Sequence, residues 1–567
     1  MPTTAYSNPI QKILKVIQFE KNEISSIYFY AILNGLIQLS LPLGIQSIIS
    51  FVLGGAISTS LILLICFVVI GVFLNGLVQV NQMKLIEKVQ QKIFVRYSFQ
   101  LTHSLPFIHL QKADAYYLPE LTNRFFDVVT LQKGISKLLL DMPAATIQIC
   151  FGILLLSLYH PVFIFFGISL LLVVFVILKL TGSKGMESSL RESDYKYEVA
   201  GWLEEMARVI HSFKFMRNPN FAVKKADDLL QGYLFYRTRH FKVLLFQYWT
   251  LIGLKLAITA AMLIAGCILL VNQQLNVGQF IAAEIVILMV IASVEKIVIN
   301  LDTVYDTLTA VAKIAKLTQQ TNEENGTTPL ISENKAIAIQ LENIQFSYSA
   351  NSTAPVLKDI SLDIKPAEKI CLMGSGGSGK STLLKLLSTI YTEFSGNYYL
   401  NGVALSKYDL ASLRAAIGLQ ISHQDVIQGS LYDNIVMGNQ DVPKQQISEI
   451  AGKIGLMPFL KRFPEGLETM VQPNGQSLSK SFKQKLLLLR AIIGQPRLLL
   501  LEDPFEGLQP DACAAIQQYI LHEMPNTTLI VSTNNKDFAA QCNRIVLLSE
   551  GQISATGSFN QLQQLFQ

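Results

Sequence analysis

At 567 residues with 15% charged side chains and a mean hydropathy of +0.37, the chain is too long for one domain and too apolar for an ordinary soluble enzyme, so a membrane region is expected. A net charge of +5 with no long run of Lys and Arg argues against a nucleic-acid partner and leaves membrane lipid as the partner of the basic excess. The six cysteines, three of them (Cys66, Cys150 and Cys267) inside apolar runs, lack the close pairing of a zinc site or a redox CxxC and are expected to be small buried residues.

Along the chain, the N-terminal segment carries Lys12, Lys15 and Lys21 but no cleavable signal core, so this end is expected to stay in the cytosol. Ile24 to Met83, Met142 to Leu178 and Leu256 to Ala283 contain no Asp, Glu, Lys or Arg. A helix crosses the hydrocarbon layer in about 20 residues, so each run reads as a helical hairpin, about six spans in all. The turns fall at Gly54-Gly55, Tyr159-His160-Pro161 and Asn272-Gln273-Gln274. The opposite ends carry Lys84, Lys88, Lys92, Arg96, Lys179, Lys184, Arg237, Arg239, Lys242, Lys313 and Lys316, which places those ends and both termini in the cytosol. The connections after the second and fourth spans keep a helical pattern and are expected to extend as cytosolic arms on the order of 30 Å long. Lys255 and Glu295 fall at similar depth on neighbouring spans and are expected to form an ion pair.

Thr318 to Lys335 is polar and aperiodic, which reads as a linker between a transmembrane domain over 1–317 and a soluble domain over 336–567. In the latter, strand-like runs (Ala338 to Phe346, Lys369 to Met373) alternate with helix-like ones (Ser381 to Ile390), an α/β pattern. Gly374-Ser375-Gly376-Gly377-Ser378-Gly379-Lys380-Ser381 fits the phosphate-loop pattern between a strand and a helix. Its backbone N–H groups would cradle phosphates, Lys380 would reach the β and γ phosphates, and Ser381 would ligate Mg²⁺. Thr382, opening the helix, joins this nucleotide-binding set.

With these motifs in place the chain resembles the ATP-binding-cassette exporters, in particular the branch of type I secretion and peptide exporters, over nearly its whole length. The resemblance implies a six-span all-α membrane domain with helical cytosolic arms, followed by an α/β P-loop nucleotide-binding domain. It implies ATP and Mg²⁺ as cofactors and Tyr348, in Phe346-Ser347-Tyr348, as the residue that stacks on adenine. The family signature LSGGQ falls on Leu478-Ser479-Lys480-Ser481-Phe482, so both glycines are replaced. After the strand Leu498 to Leu501 the acidic pair reads Glu502-Asp503 where the family has Asp-Glu. Glu502 would hold Mg²⁺, and Asp503 would orient the attacking water with a shorter side chain. The glutamine that contacts Mg²⁺ falls on Ser422, with Gln420 and Gln424 flanking it, and Gln424 is taken as the substitute ligand. The switch histidine falls on Thr533, and the loop after the acidic pair reads Glu506-Gly507-Leu508-Gln509 without its aspartate.

Three readings follow from the resemblance. The first is an exporter of a peptide, protein or other substrate across the inner (plasma) membrane, with ATP binding and attenuated hydrolysis. The second is the weaker half of a heterodimeric exporter, and the third a non-hydrolysing scaffold or regulator that ATP shifts between states. A second half-transporter, identical or not, and periplasmic or outer-membrane secretion components are the partners implied. About twenty residues ahead of the first span leave no room for the N-terminal peptidase-like domain of some relatives. Short coupling helices are expected near Ala113 to Leu121 and near Leu203 to His211.

Overall fold

The charge-free runs become helices whose breaks follow local chemistry. In the computed structural model, which describes residues 20–55, 59–113, 118–318, 323–330, 335–348, 354–422, 424–439, 441–475 and 477–563, α1 (Lys21–Gln38) stops where Pro42, four residues on, would clash with the Gln38 carbonyl. The chain resumes as α2 (Ser40–Leu53) and turns at Gly54-Gly55, Gly55 taking a φ of 75°. Then follow α3 (Thr59–Ser104), α4 (Leu110–Ala113), α5 (Leu118–Asn123), α6 (Asp127–Tyr159), α7 (Val162–Arg208), α8 (Ile210–Lys214), α9 (Asn220–Val271), α10 (Val277–Ile299) and α11 (Leu301–Thr318). His160 and Pro161 separate α6 from α7, and Asn276 caps α10 by accepting from the Gln279 N–H at 2.7 Å.

Among the described residues, six segments are long and apolar enough to cross a membrane. The arms are continuous with the spans: α3 runs 46 residues, α7 47 and α9 52, where a crossing needs about 20. Of the short helices expected at the tips, α4, α5 and α8 are present, Leu203 to Arg208 continues α7, and residues 114–117 lie outside the described residues. Cys66, Cys150 and Cys267 correct the sequence reading: all three are exposed. Lipid tails are as apolar as Leu, so an apolar run in a span does not require cover from protein.

Two kinds of contact hold this bundle. Close approach is one: a Cβ on Gly152 of α6 would press on Val290 of α10, and one on Gly185 of α7 would lie 2.6 Å from the Tyr305 ring of α11. The other is a polar seam between α7, α9 and α11. His240 Nδ1 meets Ser188 Oγ at 3.0 Å and its Nε2 meets Asp302 at 3.2 Å. Gln247 donates to Thr181 Oγ1 at 2.6 Å and to Tyr305 Oη at 3.1 Å, Ser189 meets Thr309 at 2.8 Å, and Lys313 pairs with Asp194. Nearer the surface of the bundle, Lys255 of α9 donates to Glu295 of α10 at 3.2 Å, the pair expected from span depth, and Lys296 meets Asp141 at 2.7 Å. Lys255→Met alone is expected to lower thermal stability in detergent, and Lys255→Met with Glu295→Leu to recover most of it. Equal loss in both proteins would show that the two charges act independently.

The chain divides into two compact units: Met1–Phe107 with Tyr116–Gln320, and Ile108–Ala115 with Thr321–Gln567. The second unit contains β1 (Ile339–Phe346), β2 (Leu357–Ile364), β3 (Lys369–Met373), α12 (Lys380–Leu387), β4 (Ser395–Leu400), β5 (Val403–Ala404), α13 (Leu410–Ala415), β6 (Ile417–Gln420), β7 (Gly429–Ser430), α14 (Leu431–Val436), α15 (Lys444–Lys453), α16 (Met457–Leu460), β8 (Met470–Val471), α17 (Lys480–Ile492), β9 (Leu498–Glu502), α18 (Pro510–His522), β10 (Thr528–Ser532), α19 (Lys536–Gln541), β11 (Arg544–Ser549), β12 (Gln552–Gly557) and α20 (Phe559–Leu562). One sheet has the order β12-β11-β3-β10-β9-β6, parallel from β11 to β6; an antiparallel sheet has the order β2-β1-β4-β5. β3 and β10 are buried throughout, as central parallel strands must be.

Part of the stretch read as a linker is fastened to this unit. Glu323 takes a two-pronged pair from Arg414 at 2.6 and 2.7 Å, and Thr328 bridges Tyr408. The described part of the inserted segment also folds here: His109 meets Glu393 at 3.3 Å, Leu110 packs on the apolar cluster around Phe346, and Gln111 donates to the Ser347 carbonyl at 2.8 Å.

Candidate functional site

Parallel strands deliver their carboxyl ends to one edge, where ligands of open α/β sheets bind. Here β3, β10, β9 and β6 lie side by side and lead, in that order, into Gly374, Thr533, Asp503 and Ile421. The sequence motifs scattered over that span of chain therefore meet in space.

The loop after β3 depends on its glycines. Gly374 (φ 152°), Gly377 (φ 80°) and Gly379 (φ 101°) occupy backbone regions that a side chain disfavours, and a Cβ on Gly374 would run into the Leu548 carbonyl. Gly379 caps α12, whose first N–H groups have no partner within the helix. This gives the concave, donor-lined cradle that suits a phosphate chain. Lys380 Nζ lies across it, donating to the carbonyls of Gly374 at 2.7 Å and Ser375 at 2.9 Å and to Ser378 Oγ at 3.4 Å. Burial lowers the Lys380 pKa, against the opposing pull of Asp503 and Glu502.

Ser381 and Glu502 are together. The Glu502 carboxylate accepts the Ser381 hydroxyl and, at 2.7 Å, the Ser422 N–H. Burial pushes its pKa up, but the hydrogen bonds from Ser381 and Ser422 prevail and hold it below the ordinary range. Asp503 is shifted the other way: burial first and the Glu502 charge second raise it, with Lys380 opposing. Asp503 has a left-handed backbone (φ 42°), fixed by its N–H to the Ser532 carbonyl at 2.8 Å and by Gln484 Nε2 donating to its own carbonyl at 3.1 Å.

Other residues singled out in the sequence sit apart from this group or differently within it. The Gln424 amide oxygen accepts the Ile421 N–H at 3.4 Å and is folded back on its own loop, and it is Ser422, two residues earlier, that reaches Glu502. Gln420 is buried and donates to the Gln484 carbonyl at 3.4 Å. Tyr348 is tied to the start of α12 by a 2.7 Å contact between its hydroxyl and Thr382 Oγ1, and its ring packs edge-on against Phe346 and Tyr391. Ser479 caps α17 by accepting from the Phe482 N–H at 3.2 Å, and Lys480, 83% exposed, pairs with Glu506 at 3.4 Å. Thr533 follows β10, and its neighbour Asn534 accepts the Gly374 N–H at 3.4 Å. The sequence assigned no role to Asn534, next to the expected switch position, or to Gln484, just after the signature.

Two family models match the chain: "ABC transporter transmembrane region" over residues 25–294 and "ABC transporter" over residues 357–506. The chain is 31% identical over 219 residues to an ATP-dependent lipid A-core flippase of Chromobacterium violaceum, covering 39% of this chain and 37% of that protein. It is 26% identical over 368 residues to the alpha-hemolysin translocation ATP-binding protein HlyB of Escherichia coli O157:H7, covering 64% of this chain and 51% of that one. The chain thus spans about half or less of the length of these relatives. In fold it is similar to a bacterial Atm1-family ABC exporter solved with ATP bound, at a TM-score of 0.84, 17% identity and 96% coverage of both chains. With both regions matched and the six-span-plus-α/β fold in common, the chain belongs to the ABC transporter family.

Proposed function

We propose that the chain is one half of a dimeric ATP-driven exporter in which hydrolysis is slow. The observation that carries this reading is the meeting of Ser381, Glu502 and Asp503 beside the cradle of Gly374 to Ser381. In this reading the loop N–H groups and Lys380 hold the phosphates of ATP, and Tyr348 stands at the base. Ser381 and Glu502 hold Mg²⁺, whose charge neutralises phosphate oxygens when it is bound, and Ser422 keeps Glu502 oriented in the place given to Gln424 by sequence. Asp503 orients the attacking water. Its side chain is one methylene shorter than the family's glutamate, and a misplacement of about 1 Å can cost on the order of a hundredfold in rate. Lys480 and Ser481, in place of glycines, further restrict close approach at the signature.

The chain would lie in the inner (plasma) membrane with both termini in the cytosol, since the basic residues cluster at the helix ends opposite the turns. Its partners would be lipid, a second half-transporter and, for a peptide or protein cargo, secretion components beyond the membrane. The non-hydrolysing reading draws its support from Thr533 at the switch position and from the Lys480–Glu506 pair at the signature.

The ATPase rate of the purified chain in lipid nanodiscs, followed against pH, separates the two. Asp503 must be ionised to orient water and its pKa is raised, so activity falls on acidification at a pH above the ordinary aspartate range. Asp503→Asn is expected to remove that limb and lower the rate by about a hundredfold. An unchanged rate would take Asp503 out of the chemistry, and no ATPase activity in the unaltered chain would leave the non-hydrolysing reading.

A further inference from the structure

A residue other than glycine held at φ 42°, as Asp503 is, persists only where its surroundings over-determine it. The Asp503 N–H donates to the Ser532 carbonyl at 2.8 Å, and its carbonyl accepts the Glu506 N–H at 3.2 Å, closing the turn that leaves β9. A third bond comes from outside that turn: Gln484 Nε2 donates to the same carbonyl at 3.1 Å.

Gln484 is presented by a helix that is itself anchored. On α17, Phe482 packs against Phe463 and Phe459 with ring centroids 5.4 and 5.9 Å apart. The buried Lys485 donates to the Gly455 carbonyl at 2.9 Å, and Arg490 donates to the carbonyls of Asn434 at 2.7 Å and Asp425 at 3.1 Å. The Gln484 carbonyl accepts Gln420 Nε2 at 3.4 Å, and Gln420 pairs with Leu501 where β6 meets β9. The route from β6 through Gln420 and Gln484 therefore returns to the residue that follows β9, and the brace closes on itself. Placement of the backbone counts for more here than it would with glutamate. Aspartate has one rotatable bond fewer, so a displaced Cα carries through to the carboxylate with less room for correction, and a shift of about 1 Å can cost on the order of a hundredfold in rate.

We infer that Gln484 is a positioning residue for ATP hydrolysis, which holds the left-handed turn at Asp503 and so fixes where the carboxylate meets water. The inference rests on the reading of Asp503 given above and adds to it a side chain that acts through another residue's backbone. It also ties Asp503 to the helix that opens on Lys480 and Ser481, so the seating of the altered signature reaches the acidic pair through one side chain.

The test uses the full chain in nanodiscs. Gln484→Met keeps the length and the helix propensity and removes the donor, while Gln484→Lys keeps a donor. In Gln484→Met, kcat for ATP is expected to fall about tenfold with KM and equilibrium affinity for ATP unchanged, and Gln484→Lys to recover most of the loss. Adding Gln484→Met to Asp503→Asn should lower kcat no further, because the two residues act as one unit. Without nucleotide, hydrogen exchange at the Asp503 and Glu506 amides should quicken by about fivefold in Gln484→Met, the loss of one neutral hydrogen bond. An unchanged kcat, unchanged exchange, a loss of ATP affinity matching the loss of kcat, or an equal effect of Gln484→Met with and without Asp503→Asn would overturn the assignment. An unaltered chain that does not hydrolyse ATP would overturn the export reading instead, and the exchange comparison then decides whether Gln484 holds the turn.

Discussion

Lys380→Ala lowers affinity for ATP by about tenfold to a hundredfold, the loss expected when charge-assisted hydrogen bonds worth about 1.5–3 kcal/mol are removed. Hydrolysis, where it is measurable, falls further, since the same ammonium meets charge that develops during phosphate transfer. The geometry makes this the most severe change at the site. Lys380 Nζ spans Gly374, Ser375 and Ser378, so alanine removes both the positive charge and the brace that closes the loop. Equilibrium binding of a fluorescent ATP analogue, with melting temperature as a control for folding, checks it. Wild-type affinity in the variant would remove the phosphate-site assignment and every role built around it.

Lys313→Met is expected to have the largest effect on stability. The Lys313 side chain is fully buried and its ammonium meets Asp194 across α11 and α7. Removing one member of a buried pair strands the other charge, a cost of about 3–5 kcal/mol, whereas replacing both with apolar groups can be nearly neutral. Asp194 is 30% exposed, so water relieves part of the stranded charge and the lower end of that range, about 3 kcal/mol, is the expectation. Thermal denaturation in detergent should show Lys313→Met well below the wild type and Lys313→Met with Asp194→Leu between them. A double variant as damaged as the single one would assign the loss to the volume of Lys313 and not to its charge.

The spans, their turns and the glycine-dependent loop between β3 and α12 were legible because each obeys a strict local rule. Hydrocarbon excludes charge over a fixed thickness, and a phosphate cradle needs glycine at fixed offsets. Lys255 and Glu295 followed from the same counting, since depth along a helix is linear in residue number. Cys66, Cys150 and Cys267 misled because apolar surroundings in sequence mean lipid as readily as protein. Around Glu502 the difficulty was of another kind. Sequence placed a substitute ligand at Gln424, but what reaches Glu502 is the backbone of Ser422, and a backbone N–H leaves no trace in residue type. Gln484 was hidden for a related reason: its target is the Asp503 carbonyl, which every residue possesses. The stretch at Glu323 and Thr328 looked like a linker because its anchors are polar pairs that no apolar periodicity reports.

The placement of Ile108–Ala115 bears on how the gene for such a chain can be cut. A fragment beginning at Thr321 would omit a piece of its own interior, because Leu110 completes an apolar cluster and Gln111 occupies the Ser347 carbonyl. Recombination at the apparent boundary between membrane and soluble coding regions would therefore exchange a body for one fitted to a different plug. Exchange of the soluble half alone would part its apolar cluster from Leu110 and the Ser347 carbonyl from Gln111.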